Sequence, residues 1–103
     1  MITLAPEWIK IRRVEIAGNP IVVEFDPALN NFGEWHLDTW TIKIGRLAET
    51  CFWETLRHEM VHAALDFGGV AYCERMEIEA VTRCLDHIFF PAWDALPFYN
   101  KAP

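Results

Sequence analysis

The 103 residues predict an α+β domain: a small, mostly antiparallel, twisted sheet of two hairpins, followed by two helices. Three observations predict it. Apolar residues alternate with polar ones through residues 14–44. Leu47, Cys51, Leu56, Val61 and Leu65 then recur at helical spacing in a stretch free of Gly and Pro. Gly68 and Gly69 break that stretch, and a second helical pattern follows.

Taken in order, MITLAPEWIKIRR suits either an extra strand or a short helix after Pro6. In VEIAGNPIVVEFD, Val14 and Ile16 face Ile21, Val23 and Phe25 across an Ala-Gly-Asn-Pro turn, a hairpin signature. DPALNNFG is a loop by composition. EWHLDTWTIKIG reads as a second hairpin, with Trp40, Ile42 and Ile44 alternating and the turn at Asp38-Thr39. The first helix is expected over 47–67, and the second from about Cys73 to Phe90, ending before Pro91. The tail PAWDALPFYNKAP, residues 91–103, is expected to lie extended on the surface of a single domain covering 1–103.

Composition narrows the function. A 52% hydrophobic share and five tryptophans argue for a packed core. A net charge of −6 argues against nucleic acid as a partner, because phosphates want a basic face. The short cluster Lys10, Arg12 and Arg13 suits the solvated side of a strand. Cys51, Cys73 and Cys84 are odd in number and lack CxxC spacing, so reduced thiols in a cytoplasmic protein are expected. The N-terminus lacks the features of a signal peptide, and no apolar run reaches the roughly 18 residues a membrane span needs. Nothing in the sequence selects an oligomeric state.

The chemistry sits in RHEMVH, residues 57–62. His58 and His62, four apart on a helix, face the same way and can hold one Zn²⁺. Glu59 is rotated from His58 by about 100°, which suits a general base that does not ligate. This is the HExxH arrangement of zinc hydrolases. A catalytic zinc site needs a third protein ligand, and the second helix offers Glu74, Glu77, Glu79, Asp86 and His87. On a helical wheel Met76, Ala80, Val81, Cys84, Leu85 and Ile88 form an apolar sector with Glu77 at its centre, while Glu79, Arg83 and Asp86 face away. A carboxylate in a buried sector needs a partner, so Glu77 is the expected ligand and Glu79 the runner-up. A buried ion pair of Glu77 with Arg57 is the plain alternative.

His58-Glu59-Met60-Val61-His62 followed by Glu77 resembles the gluzincin metallopeptidases, whose third ligand is a Glu on the next helix. Glu77 to Val81, EIEAV, is similar to the ExEAN segment of ImmA/IrrE-like metallopeptidases. The size and element order resemble the small archaeal minigluzincins and small phage or prophage metallopeptidases, over roughly residues 14–90. The resemblance implies a zincin-like domain and zinc-dependent hydrolysis of protein or peptide substrates. It implies a substrate strand laid along an edge strand, here Gly33 to Leu37, with Gly33, Trp35 and His36 at the groove. It implies an oxyanion donor between the helices, for which Tyr72 is the candidate and His87 the alternative. The tail would block the cleft, as in some minimal gluzincins, or simply cover the core. The chain departs from the family at Val81, where a polar residue commonly supports a ligating histidine; Asp66 or a backbone carbonyl is the expected substitute. That departure keeps a second class in view, a metal-binding phage or prophage regulatory or structural protein with little or no general proteolysis.

Overall fold

The computed structural model describes residues 5–68 and 75–91. Residues 5–12 form neither the strand nor the helix expected as alternatives; they turn and lie against the core. Ile9 is buried there, and the Trp8 ring meets Phe25 and Phe52 edge-on at 5.6 and 6.5 Å between centroids.

Four strands follow: β1 (Arg13–Ile16), β2 (Asn19–Phe25), β3 (Gly33–His36) and β4 (Thr41–Ile44). Both expected hairpins form. β1 and β2 are joined by a two-residue turn at Ala17 and Gly18, whose φ values of 52° and 79° match the twist of the strands it connects. β3 and β4 are joined through residues 37–40, a longer turn than Asp38-Thr39. Trp40, expected inside the strand, closes that turn at φ 49° and lays its ring 5.4 Å from that of Phe67.

The sheet order is β1-β2-β4-β3. The two hairpin pairings are antiparallel and the β2–β4 pairing is parallel, with Val23 opposite Ile42 and Phe25 opposite Ile44. The sheet is therefore mixed, and β3 lies at its edge. Ile21, Val23, Ile42 and Ile44 form the fully buried centre. Full burial of each such side chain stabilises by about 1.5–3 kcal/mol.

The first helical region is shorter than its periodicity suggested. A 3₁₀ turn (Arg46–Ala48) precedes α1 (Phe52–Phe67), because Cys51 at φ −144° interrupts the helix and Leu47 is exposed. α1 buries Phe52, Thr55, Leu56, Glu59 and Ala63 against the sheet. Gly68 ends it, its N–H bonding the Ala64 carbonyl at 2.9 Å.

α2 (Arg75–Cys84) runs on into a π-helical turn, Leu85–Phe89. It packs antiparallel to α1, with residue 79 opposite 62 and residue 86 opposite 58. Thr82 is fully buried, whereas Glu77, Ala80, Val81 and Cys84 are exposed. The inward face is thus the opposite of the one the helical wheel selected. Beyond the π-turn, Phe90 lies under the Arg57 guanidinium, 4.4 Å from ring centroid to Cζ. Among the described residues no helix is long and apolar enough to cross a membrane.

Candidate metal centre

α1 carries His58 and His62 on one face, with their rings 5.0 Å apart and inclined at 60°. Both face α2. Imidazoles at a helix interface must be paired, and this requirement outweighs the apolar stripe of α2. The helix turns its acidic face inward. Glu79 Oε1 sits 2.9 Å from His62 Nε2, and Asp86 Oδ2 accepts a hydrogen bond from His58 Nδ1.

His58, His62 and Glu79 bring three ligand atoms within 4.8 Å of one another. Tetrahedral coordination at Zn–N and Zn–O bonds of about 2.0–2.2 Å places neighbouring ligand atoms about 3.3 Å apart. The His62–Glu79 distance is close to that edge, and two imidazoles with one carboxylate are a donor set that zinc accepts. The trio therefore fits a divalent metal.

The expected third ligand, Glu77, does not join the trio. It lies on the exposed side of α2, and Glu79, the runner-up, takes the position. The wheel assumed that the helix would bury its most apolar sector; the histidines opposite impose a polar one. Of the other candidates weighed, Asp86 supports His58 and His87 is exposed. Glu74 and Tyr72 lie outside the described residues, as does 92–103 of the tail. The partner expected for a ligating histidine in place of Val81 is not Asp66. Asp66 accepts the Trp35 indole N–H at 2.6 Å, and Asp86 serves instead. With Nδ1 engaged, His58 keeps Nε2 for a metal, the arrangement by which carboxylates orient ligating imidazoles.

Asp86 is the residue that sequence reasoning missed in this role. It belongs to the π-turn, a rare local geometry that recurs at functional sites. The signal was present: Glu79, Thr82 and Asp86 are spaced to share a helix face, as His58 and His62 are.

Glu59 lies beside the trio at 7% exposure, with no hydrogen-bond partner for its carboxylate among the described residues. Burial raises its pKa to about 7; His58 pulls it down, and Glu79, Glu34 and Asp86 add to the rise. Burial likewise lowers the pKa of His62, against the opposing pull of Glu79. A lowered value keeps the imidazole neutral, the form in which it ligates.

Gly33 of β3 covers Glu59. A Cβ there would lie 2.9 Å from Thr55 Cγ2 and 3.2 Å from Glu59 Cγ. All four residues of β3 line one cleft of about 570 Å³ together with His58, Glu59 and His62. Trp35 reaches inward to Asp66 and Phe67, its ring 5.8 Å from that of Phe67. Trp35 thus ties the edge strand to the end of α1, and His36 stands at the cleft, 3.0 Å from Glu34. No family model matches this chain, and no curated protein or solved structure does either, so the meaning of the site rests on its own geometry.

Proposed function

We propose that the chain is a zinc-dependent metallopeptidase of gluzincin type, with His58, His62 and Glu79 as metal ligands and Glu59 as general base. The observation that carries the reading is the conjunction of the trio with a buried Glu59, unpartnered among the described residues, in a cleft bounded by a sheet edge. A structural pair of histidines would not need a carboxylate held buried beside it.

Zinc held by the trio would supply a Lewis acid for the scissile carbonyl and bring the pKa of a water toward neutrality. Glu59 then removes a proton from the attacking water and delivers it to the leaving nitrogen. The peptide C–N bond breaks to give a carboxylic acid and an amine. A pKa near 7 suits both transfers, since the same group must accept and donate at neutral pH. Gly33 lets β3 pack directly on Thr55 and Glu59 of α1, and the side of β3 left unpaired among the described residues offers main-chain hydrogen bonds that orient a substrate backbone.

The test is Glu59→Gln. It should retain near-stoichiometric zinc and lose peptide hydrolysis by about 10²- to 10⁴-fold, the usual contribution of a general base. Cleavage at the wild-type rate would refute the mechanism.

A second reading, a metal-holding interaction protein, draws support from the exposed apolar side of α2 at Ala80, Val81 and Cys84. Zinc binding without chelator-sensitive cleavage of any peptide library would favour it.

A further inference from the structure

The peptidase reading leaves the substrate unnamed, and the cleft has a chemical bias that names its class. Glu34, Glu59, Asp66 and Glu79 all line it, and no Lys or Arg does among the described residues. A divalent metal would be held against Glu79, and Asp66 is bonded to Trp35, so the charge of Glu34 remains for a substrate. Glu59, 7% exposed and without a hydrogen-bond partner among the described residues, opens onto this cleft and independently marks it as a place built for a ligand.

Strand geometry locates the bias. Gly33 and Trp35 face α1, as the Thr55 and Glu59 neighbours of Gly33 and the Asp66 bond of Trp35 show. Alternation therefore puts Glu34 and His36 on the other face of β3. A peptide added to the side of β3 left unpaired among the described residues places every second side chain on that face, beside Glu34. Gly33 lies over Glu59, so the bond to be cut lies near position 33 and Glu34 is one residue along. The present partners of Glu34 are His36 at 3.0 Å and Asn31 at 3.4 Å, both near the surface and readily exchanged.

Resting on that peptidase reading, we infer that the cleft selects peptides with a Lys or Arg side chain one or two residues from the scissile bond, paired with Glu34. The guanidinium or ammonium displaces the His36 imidazole from the Glu34 carboxylate, and Asp66 adds to the attraction from the inner side.

Binding of labelled octapeptides to the zinc-loaded Glu59→Gln protein, followed by fluorescence anisotropy, tests this without relying on turnover. Three series carry Lys, Gln or Glu at the scanned position. The Lys series should bind about fivefold tighter than the Gln series at low salt, and the Glu series weaker still. The advantage should shrink as salt rises. Adding Glu34→Gln should abolish the Lys preference, and Glu34→Lys should turn it toward the Glu series, with zinc content and circular dichroism unchanged. Equal binding by all three series, or a Lys preference that survives Glu34→Gln, overturns the inference and leaves the peptidase reading standing. Binding by none of the series, in protein that holds its zinc, overturns both.

Discussion

Asp86 accepts a hydrogen bond from Nδ1 of His58 across the interface between the two helices, and its other oxygen is buried without a partner among the described residues. The carboxylate is committed to one imidazole, which fixes the ring and strengthens its second nitrogen as a ligand. Asp86→Asn should therefore weaken zinc binding by about 10- to 100-fold. Competition with a chromophoric chelator measures this; an unchanged affinity would show that Asp86 does not orient the ligand.

The two carboxylates of α2 separate cleanly. Glu79→Gln should lose most of its zinc at equimolar metal, because Glu79 faces His62 Nε2 at 2.9 Å. Glu77→Gln should load as the wild type does, because Glu77 is exposed on the far side of the helix. Elemental analysis of the two purified variants decides between the two assignments.

Gly33→Ala should destabilise the fold by about 1–3 kcal/mol, the usual cost of forcing a methyl into a packed space. The new Cβ would meet Thr55 Cγ2 at 2.9 Å and the Lys43 carbonyl oxygen at 3.1 Å, and a backbone oxygen does not step aside. Urea unfolding of the metal-free protein reports the loss. The variant should also cleave poorly, because the same methyl presses on Glu59 at 3.2 Å.

The metal-free protein should show a pH signature that belongs to Glu59. Its pKa in the folded state, about 7, lies above the ordinary value of 4.5, so the folded state binds the extra proton between those limits. The stability it contributes is complete below pH 4.5 and is lost as pH rises through 7, with a slope of up to about 1.4 kcal/mol per pH unit. His62 acts the other way, its lowered pKa making stability rise with pH up to 6.5. The difference between wild type and Glu59→Gln isolates the first effect: the variant should gain on the wild type as pH rises from 4.5 to 7. A difference that is flat over this range would contradict the burial of Glu59.

Local signals in the sequence located the two hairpins, the motif helix and its two histidines, because each depends on neighbours in the chain. The Ala17-Gly18 turn and the alternation of Ile21, Val23, Ile42 and Ile44 needed nothing else. The parallel β2–β4 pairing was hidden, since it joins segments separated by a loop and the strand β3 and leaves no local trace. Trp40 misled because its aromatic ring suits a strand, while its packing on Phe67 holds it in a turn. The choice between Glu77 and Glu79 failed for a different reason. Amphipathicity names the face a helix hides from water, but the face it hides from a pair of histidines is decided by their hydrogen bonding. A reading that began from His58 and His62 and sought carboxylates one and three helical turns into the next helix would have selected Glu79 and Asp86 together.

The edge of β3, unpaired among the described residues, has a bearing on the behaviour of the protein in concentrated solution. A strand that can accept a peptide can equally accept the same strand of another molecule, and such edges are common seeds of aggregation. Here two β3 edges brought together would set Glu34 and its acidic neighbours against their own copies, in a chain whose net charge is already −6. The carboxylates that would draw in a cationic peptide thus also act as gatekeepers, keeping the molecule from becoming its own ligand.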